Sequence, residues 1–349
     1  MTASTKHMEG YNMTPNNPIL KSLITADYLQ SQKTSNYIVK NWLYKNTIAM
    51  IYGASNTGKT FLTLDLCKAI TEGNSWNSYR TKDQESILYI PLEGTQAIAN
   101  RIEALKLSPT AQTKFMLLDQ KLDIMKPETA TNIINLFTDE TEIAPPTLIV
   151  VDTLHRAMNG ADENSHADIS RLINNLEIIK NKLKCCILLI HHTGKDQERG
   201  ARGSSSLKAA IDTEISLTHA DGISTACITK ARDGQTGIKF NYKLNQVALG
   251  YDEDNDPITT CTIEECDPPK NNKKERLNDT SKILLQGIKD AVFDAKSNYT
   301  DRETAKDCAI KKGLAVSTQQ ERTALSRAWT ALISKKYIQE YEGRIYLND

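Results

Sequence analysis

The run Gly53-Ala54-Ser55-Asn56-Thr57-Gly58-Lys59-Thr60 constrains this chain more than any other stretch. It has the form G-x-x-x-x-G-K-[ST], in which a glycine-rich turn offers successive backbone N–H groups to phosphate oxygens. Its fixed positions arise by chance in only roughly one chain per hundred of this length, and the flanks agree with it. Thr47 to Tyr52 is a short apolar run, as a buried strand requires. Phe61 to Ile70 has helical spacing, with Leu62, Leu66, Ala69 and Ile70 on one face. Strand, loop and helix in that order bring a helix N-terminus against the anion. On this pattern Gly53, Ala54, Ser55, Asn56, Thr57, Gly58, Lys59, Thr60 and Phe61 wrap the phosphates of a nucleotide. Lys59 reaches the β- and γ-phosphates, and the Thr60 hydroxyl holds Mg²⁺.

A chain of 349 residues exceeds what one core usually spans, so two or three units are expected. Lys plus Arg and Asp plus Glu both total 43. Any nucleic-acid binding must therefore come from local patches and not from a global basic field. No apolar run reaches membrane-spanning length, and the first residues lack a hydrophobic signal region. The seven cysteines show no C-x-x-C spacing, and Cys185-Cys186 lies inside an apolar run. That usage suits a reducing cytoplasm.

Four segments are expected: a polar arm over 1–18, an ATPase-type core over 19–266, a linker over 267–278 and a small unit over 279–349. Leu20 to Leu29 suggests a short helix and Tyr37-Ile38-Val39 a strand. Ser86 to Leu92 reads as the strand after the phosphate loop, and Gln96 to Leu105 as a helix. Thr147 to Val151 is a continuous apolar run closed by Asp152, the pattern of a strand buried on both faces of a parallel sheet. Ser165 caps a helix faced by Ile169, Leu172, Ile173, Leu176, Ile179 and Leu183. Cys185 to Ile190 is a further buried strand ending in His191-His192. Strands over 212–217, 225–230 and 238–244 complete an α/β fold, a mostly parallel sheet with antiparallel edge strands. The linker starts at Asp267-Pro268-Pro269. Beyond it, three helices and a hairpin around Glu342-Gly343 resemble a winged-helix domain, with Arg322, Arg327, Lys335 and Lys336 placed to meet phosphate. The alternative is a helical lid that packs on the core or on a neighbouring subunit.

Nucleotide hydrolysis needs a group that orients or activates water, an acid for the metal, and positive charge where negative charge grows. Glu93 ends the strand after the phosphate-loop helix and suits the first role. Asp152 suits the second. His191 and His192 end the next strand, where a histidine can sense the γ-phosphate.

The series GASNTGKTF, LYIPLEG, LIVVDTL followed by GADEN, ILLIHHTGK and RGARGSSSLKAAIDTEI resembles the RepA-type replicative helicases and related phage and mobile-element proteins. These are RecA-fold ATPases close to the DnaB superfamily, and the resemblance covers about 40–250. It implies Lys59 and Thr60 for phosphate and Mg²⁺, Glu93 as catalytic base, Asp152 for Mg²⁺, and His192 or His191 as sensor. It also implies a ring, usually a hexamer, in which a neighbour supplies an arginine finger to the ATP site. Lys230-Ala231-Arg232-Asp233-Gly234 resembles the Lys-x-Arg-x-Gly element that acts in trans, so Arg232 and Lys230 are the favoured contacts, with Arg202 second. Loops after Asp152 and His192 correspond to those lining the channel, where Arg156, Lys195, Arg199, Arg202 and Lys208 would grip single-stranded DNA. The N-terminal helical collar of DnaB-like proteins has no counterpart, and no primase or zinc-binding segment is seen. Loader, initiator or primase partners are then separate proteins. The implied function is an ATP-dependent helicase in replication of a phage, plasmid or other mobile element. Its rivals are a RecA-like switch or origin-binding initiator without unwinding, and an ATPase that acts on proteins.

Overall fold

Continuous apolar runs in this chain become the centre of one sheet, because a strand covered on both faces has no polar side to show. The computed structural model describes residues 25–26, 36–137, 141–193, 205–232, 234–269, 277–335 and 337–348. A short antiparallel pair, β1 (Tyr37–Val39) and β2 (Leu43–Tyr44), leads into β3 (Ile48–Gly53), which is buried throughout. The helix expected over 20–29 lies outside the described residues except for Thr25 and Ala26. After β3 come α1 (Lys59–Glu72), β4 (Ile87–Pro91), α2 (Thr95–Leu105), α3 (Pro109–Lys114), β5 (Phe115–Leu117) and α4 (Pro127–Asn135). Then follow β6 (Leu148–Asp152), α5 (Leu154–Ala157), α6 (His166–Leu183), β7 (Cys186–His192), α7 (Ser205–Ala210), β8 (Thr213–Ala220), β9 (Ile223–Ala231), β10 (Lys239–Tyr251) and β11 (Pro257–Glu265).

The nine strands β3 to β11 form one sheet in the order β11-β10-β9-β8-β3-β7-β6-β4-β5. From β8 to β5 all neighbours are parallel, and β8 to β11 run antiparallel. One face packs on α1 and α2 through Leu62, Leu66, Ile70, Ile98 and Leu105, with Trp42 and Trp76 at its margin. The other packs on α6 through Ile169, Leu172, Leu176 and Ile179. Ser165 caps α6 as expected, its Oγ accepting from Asp168 N–H. Gly73 ends α1 with φ of 68°, and a Cβ there would lie 2.9 Å from the Gln84 nitrogen. This is the expected RecA-like core of a P-loop ATPase, with the phosphate-loop strand β3 separated by β7 from the acid-ended strand β6.

The third antiparallel strand runs on to Tyr251, well past residue 244, and pairs with β11, for which the sequence gives no expectation. Composition hides it: β11 is half-buried, and Thr and Glu fill positions that a core strand gives to larger apolar residues.

Residues after Pro269 form a second compact unit. It contains α8 (Asp279–Asp294), β12 (Tyr299–Thr300), α9 (Arg302–Lys311), α10 (Gln319–Ser334), β13 (Ile338–Tyr341) and β14 (Arg344–Leu347). Asn278 and Asp301 cap the first two helices, and Thr318 with Glu321 forms a capping box on the third. The strands pair β12-β14-β13. Leu284, Ile288, Ala305, Ala328, Trp329, Leu332 and Ile345 make its core. Gly287 lets α8 approach α9 so closely that a Cβ would lie 2.5 Å from the Ala309 nitrogen. The two-residue β12, absent from the sequence reading, pairs with the hairpin's second strand.

Candidate active site

Strand register gathers the chemistry at one end of the sheet. Gly53 is paired with His192, and Asp152 with both Pro91 and Ile190. The loop that follows Gly53 turns sharply, with Asn56 at φ of 63° and Gly58 at φ of 88°, immediately before α1 begins at Lys59. A Cβ on Gly53 would lie 2.6 Å from the Leu217 carbonyl oxygen, and one on Gly58 would lie 2.9 Å from the Tyr242 hydroxyl. Both positions therefore require glycine. The loop is also secured from behind. The Tyr242 hydroxyl donates to the Thr57 and Gly58 carbonyls at 3.3 and 3.2 Å, and Ser224 Oγ donates to the Thr57 carbonyl at 2.9 Å. Both side chains come from antiparallel strands that the motif itself does not contain.

Lys59 is buried, and its Nζ donates to the Gly53 and Ala54 carbonyls at 3.0 and 2.8 Å. Burial lowers its pKa, against the opposing charges of Asp152 and Glu93. Asp152 is only 5% exposed, and burial raises its carboxyl pKa. Its Oδ2 accepts from Tyr89 OH at 2.5 Å and from Thr60 Oγ1 at 3.1 Å. Burial and the Asp152 charge push the Tyr89 phenol up, so Tyr89 stays a donor. Glu93 is exposed, and its Oε1 accepts from Thr153 Oγ1 at 2.9 Å. His192 is half-buried and its Nδ1 has no partner among the described residues. Burial, then the Lys59 charge, lowers its pKa and leaves the ring neutral at pH 7.

These groups line one cleft of about 270 Å³, together with Ser55, Asn56, Phe61, Arg101 and Ile190. The Arg101 guanidinium lies 4.7 Å from the centroid of the Phe61 ring. The residues fit a nucleotide with a hard divalent cation. A helix N-terminus and a lysine face the phosphate side, and a hydroxyl and a carboxylate lie within 3.1 Å of each other as an oxygen ligand pair.

The adjacent histidines divide. His192 lines the cleft, whereas His191 is buried in register with Tyr52 and does not line it. Successive strand residues face opposite sides, so this pair cannot serve one site together. Lys230 and Arg232 lie at the other end of the sheet from the subunit's own phosphate loop. There Ala231 is paired with Thr213 and Thr213 with Ala49, while Gly53 is paired with Leu217. Lys230 Nζ donates to the Lys208 and Ile211 carbonyls at 2.5 and 2.6 Å. Arg232 Nη1 is 2.7 Å from Asp212 Oδ1. Arg156 is exposed on α5, in a groove of about 600 Å³ that Lys121, Lys126 and His155 also line. Lys208 is exposed on α7. Lys195, Arg199 and Arg202 lie outside the described residues.

Sequence reading misses Tyr89, Arg101, Thr153, Ser224 and Tyr242. Arg101 carries a usable signal, being the one cation on the helix that follows Glu93. No described helix is long and apolar enough to cross a membrane. Among the described residues no group of three or more His, Cys, Asp or Glu is arranged to hold a metal ion.

The sequence profile of a family described as AAA domain matches residues 14–198, just over half of the chain. The crystal structure of the RadB recombinase is 16% identical over 58% of this chain and 88% of that one, with a TM-score of 0.42. The solved ATPase domain of a helicase is 14% identical over 62% of this chain and 92% of that one, with a TM-score of 0.45. No curated protein sequence matches the chain.

Proposed function

The chain belongs to the AAA domain family, which implies nucleotide binding, typically with Mg²⁺, and on that premise we propose that it is an oligomeric ATPase that moves on single-stranded DNA and unwinds duplex during replication of a mobile element. The observation that carries the hydrolytic part is the convergence of Lys59, Thr60, Asp152, Glu93 and His192 on one cleft. Loop N–H groups and Lys59 bind the phosphates. Bound Mg²⁺, held by Thr60 directly and Asp152 through water, neutralises charge on the β- and γ-oxygens. Glu93, oriented by Thr153, accepts the proton of the attacking water. His192, neutral and short of one partner, reports the γ-phosphate to the segment that follows β7. With Lys59 turned onto its own loop carbonyls, the cations that answer growing charge are Arg101 in the same subunit and Arg232 from a neighbour.

The oligomeric part is supported by Arg232 standing at the sheet end remote from its own phosphate loop. A site that needs this arginine is complete only between two copies, and a closed ring satisfies every copy alike. The DNA part rests on the motif resemblance and on the basic groove at Arg156. The second unit, read as a winged helix, gives further phosphate contacts through Arg322, Arg327 and Lys335.

The testing experiment is the ATPase rate with and without single-stranded DNA, alongside the mass of the assembly with a non-hydrolysable ATP analogue. Stimulation with a ring-sized mass is expected. A monomer with no stimulation overturns the translocase reading. Stimulation without unwinding of a forked duplex leaves a DNA-dependent switch or initiator.

A further inference from the structure

At the end of the sheet remote from the cleft, Asp212 joins two parts of the core. Its Oδ2 accepts from Ile48 N–H at 2.9 Å, and its own N–H donates to the Ile48 carbonyl at 2.8 Å. Ile48 is the first residue of β3, the strand whose last residue, Gly53, opens the phosphate loop. On its other side Asp212 Oδ1 is 2.7 Å from Arg232 Nη1, and its carbonyl accepts from Arg232 N–H at 2.9 Å. Asp212 thus holds β3 by two contacts and Arg232 by two.

The exposures differ across the pair. The Asp212 side chain is 12% exposed and that of Arg232 is 58% exposed. A guanidinium carries five N–H donors in a fixed plane. One nitrogen is tied to a buried anion, and the rest of the group has no partner among the described residues. Arg232 also lines a cavity of about 260 Å³ beside Asn36, Tyr44, Lys45 and Thr47. Lys230, by contrast, is committed to the carbonyls of Lys208 and Ile211. The two cations of one motif therefore do different work: Lys230 closes the C-terminus of α7, and Arg232 is presented.

We infer that Asp212 is a positioning residue that aims Arg232 at the terminal phosphate of a nucleotide bound on a second copy of this chain. The inference rests on the proposed trans role of Arg232. An arginine swinging freely at a strand end would lose rotamer entropy each time it met the phosphate. Asp212 removes that cost and ties the arginine's direction to β3. The cation offered to a neighbour and the subunit's own phosphate loop then sit at opposite ends of one buried strand.

The test uses full-length protein carrying Asp212→Asn, which keeps an acceptor for Ile48 N–H and discards the charge that holds Arg232. With saturating ATP and single-stranded DNA, kcat is expected to fall about 10- to 100-fold, the size expected of a misaimed group. Affinity for a fluorescent ATP analogue should change less than about twofold. The double variant with Arg232→Ala should match Arg232→Ala alone, since Asp212 acts through that arginine. Mixing Asp212→Asn with Lys59→Ala should restore turnover, because each copy then lacks a different half of the shared site. Asp212→Glu, which keeps the charge and moves the guanidinium, should show an intermediate kcat and covers the case in which Asp212→Asn does not fold. An undiminished kcat in both Asp212 variants overturns the inference while leaving Arg232 its trans role. So does a loss that adds to that of Arg232→Ala. If Arg232→Ala itself keeps full kcat, the underlying trans reading fails whatever Asp212 does.

Discussion

The two ends of the sheet handle charge in opposite ways. At the phosphate-loop end Lys59 is 6% exposed and Asp152 5%, and burial displaces the pKa of both. Each is locked to neighbours of known position. At the far end Arg232 stands 58% exposed, with one anion beside it. A surface ion pair of that kind contributes about 0–1 kcal/mol to stability, so stability alone is a weak reason to build it. The first arrangement is complete in itself and waits for a small ligand. The second is half an arrangement, and what completes it must dock from outside.

Variants at each end break this comparison most directly. Lys59→Ala should abolish turnover and weaken nucleotide binding together, because the lysine contacts phosphate in every state. Arg232→Ala should lower kcat by about 10³-fold or more, the size expected of an arginine finger, with nucleotide affinity largely kept. Steady-state ATPase assays with equilibrium binding of an ATP analogue separate the two. A full rate in Arg232→Ala would falsify the division.

Tyr242→Phe sharpens the near end. It removes the hydroxyl that donates to the Thr57 and Gly58 carbonyls and leaves the ring packed. At about 1 kcal/mol for a hydrogen bond, KM for ATP should rise roughly fivefold with kcat little changed. If kcat falls instead, the loop's rear contacts set the chemistry and not the cradle.

His192 gives a pH signature. Burial first, and the Lys59 charge second, lower its pKa in the folded chain. Its contribution to stability is fully present above the unfolded value near 6.5 and is lost as pH falls through the lower folded value. In urea titrations below about pH 6.5, His192→Gln should lose less stability than the parent protein. Parallel pH curves for the two would show that the ring is not buried against Lys59 in solution.

Much of the near end is legible in sequence because a charged residue closing an apolar run is conspicuous. Glu93 and Asp152 stand out that way, and the register of three parallel strands brings them together. What supports them is not legible. Tyr242 and the Thr57 carbonyl it contacts are 185 residues apart, and a tyrosine in an alternating strand carries no mark of its partner. Thr153 and Ser224 are equally plain. The histidine pair misleads, since strand alternation already forbids both rings from one cleft. At the far end the cations of Lys230-Ala231-Arg232 are visible in sequence. That one caps a helix while the other is presented depends on Asp212 and on α7, which only the folded chain brings near.

One residue at the far end breaks its pattern of exposed charge. Glu214 is 1% exposed, in register with Met50 and Lys230, and its Oε1 has no partner among the described residues. Burial raises its pKa, with the charges of Lys208 and Lys230 opposing. A carboxyl whose folded pKa lies above its unfolded value near 4.3 supports folding below that value and loses the support as pH rises through the folded one. Glu214→Gln removes the ionisation and keeps the shape. At pH 7 to 8 it should raise the Tm by about 2–4 °C, the shift expected of about 1 kcal/mol in a domain of this size, and the gain should vanish near pH 4. ATPase kcat should stay within about twofold, since one pKa unit is worth only about 1.36 kcal/mol and the group touches no site residue but Lys230 in register. If kcat instead falls as steeply as in Arg232→Ala, the buried carboxylate belongs to the presented cations, and the far end is a prepared site rather than an exposed pair.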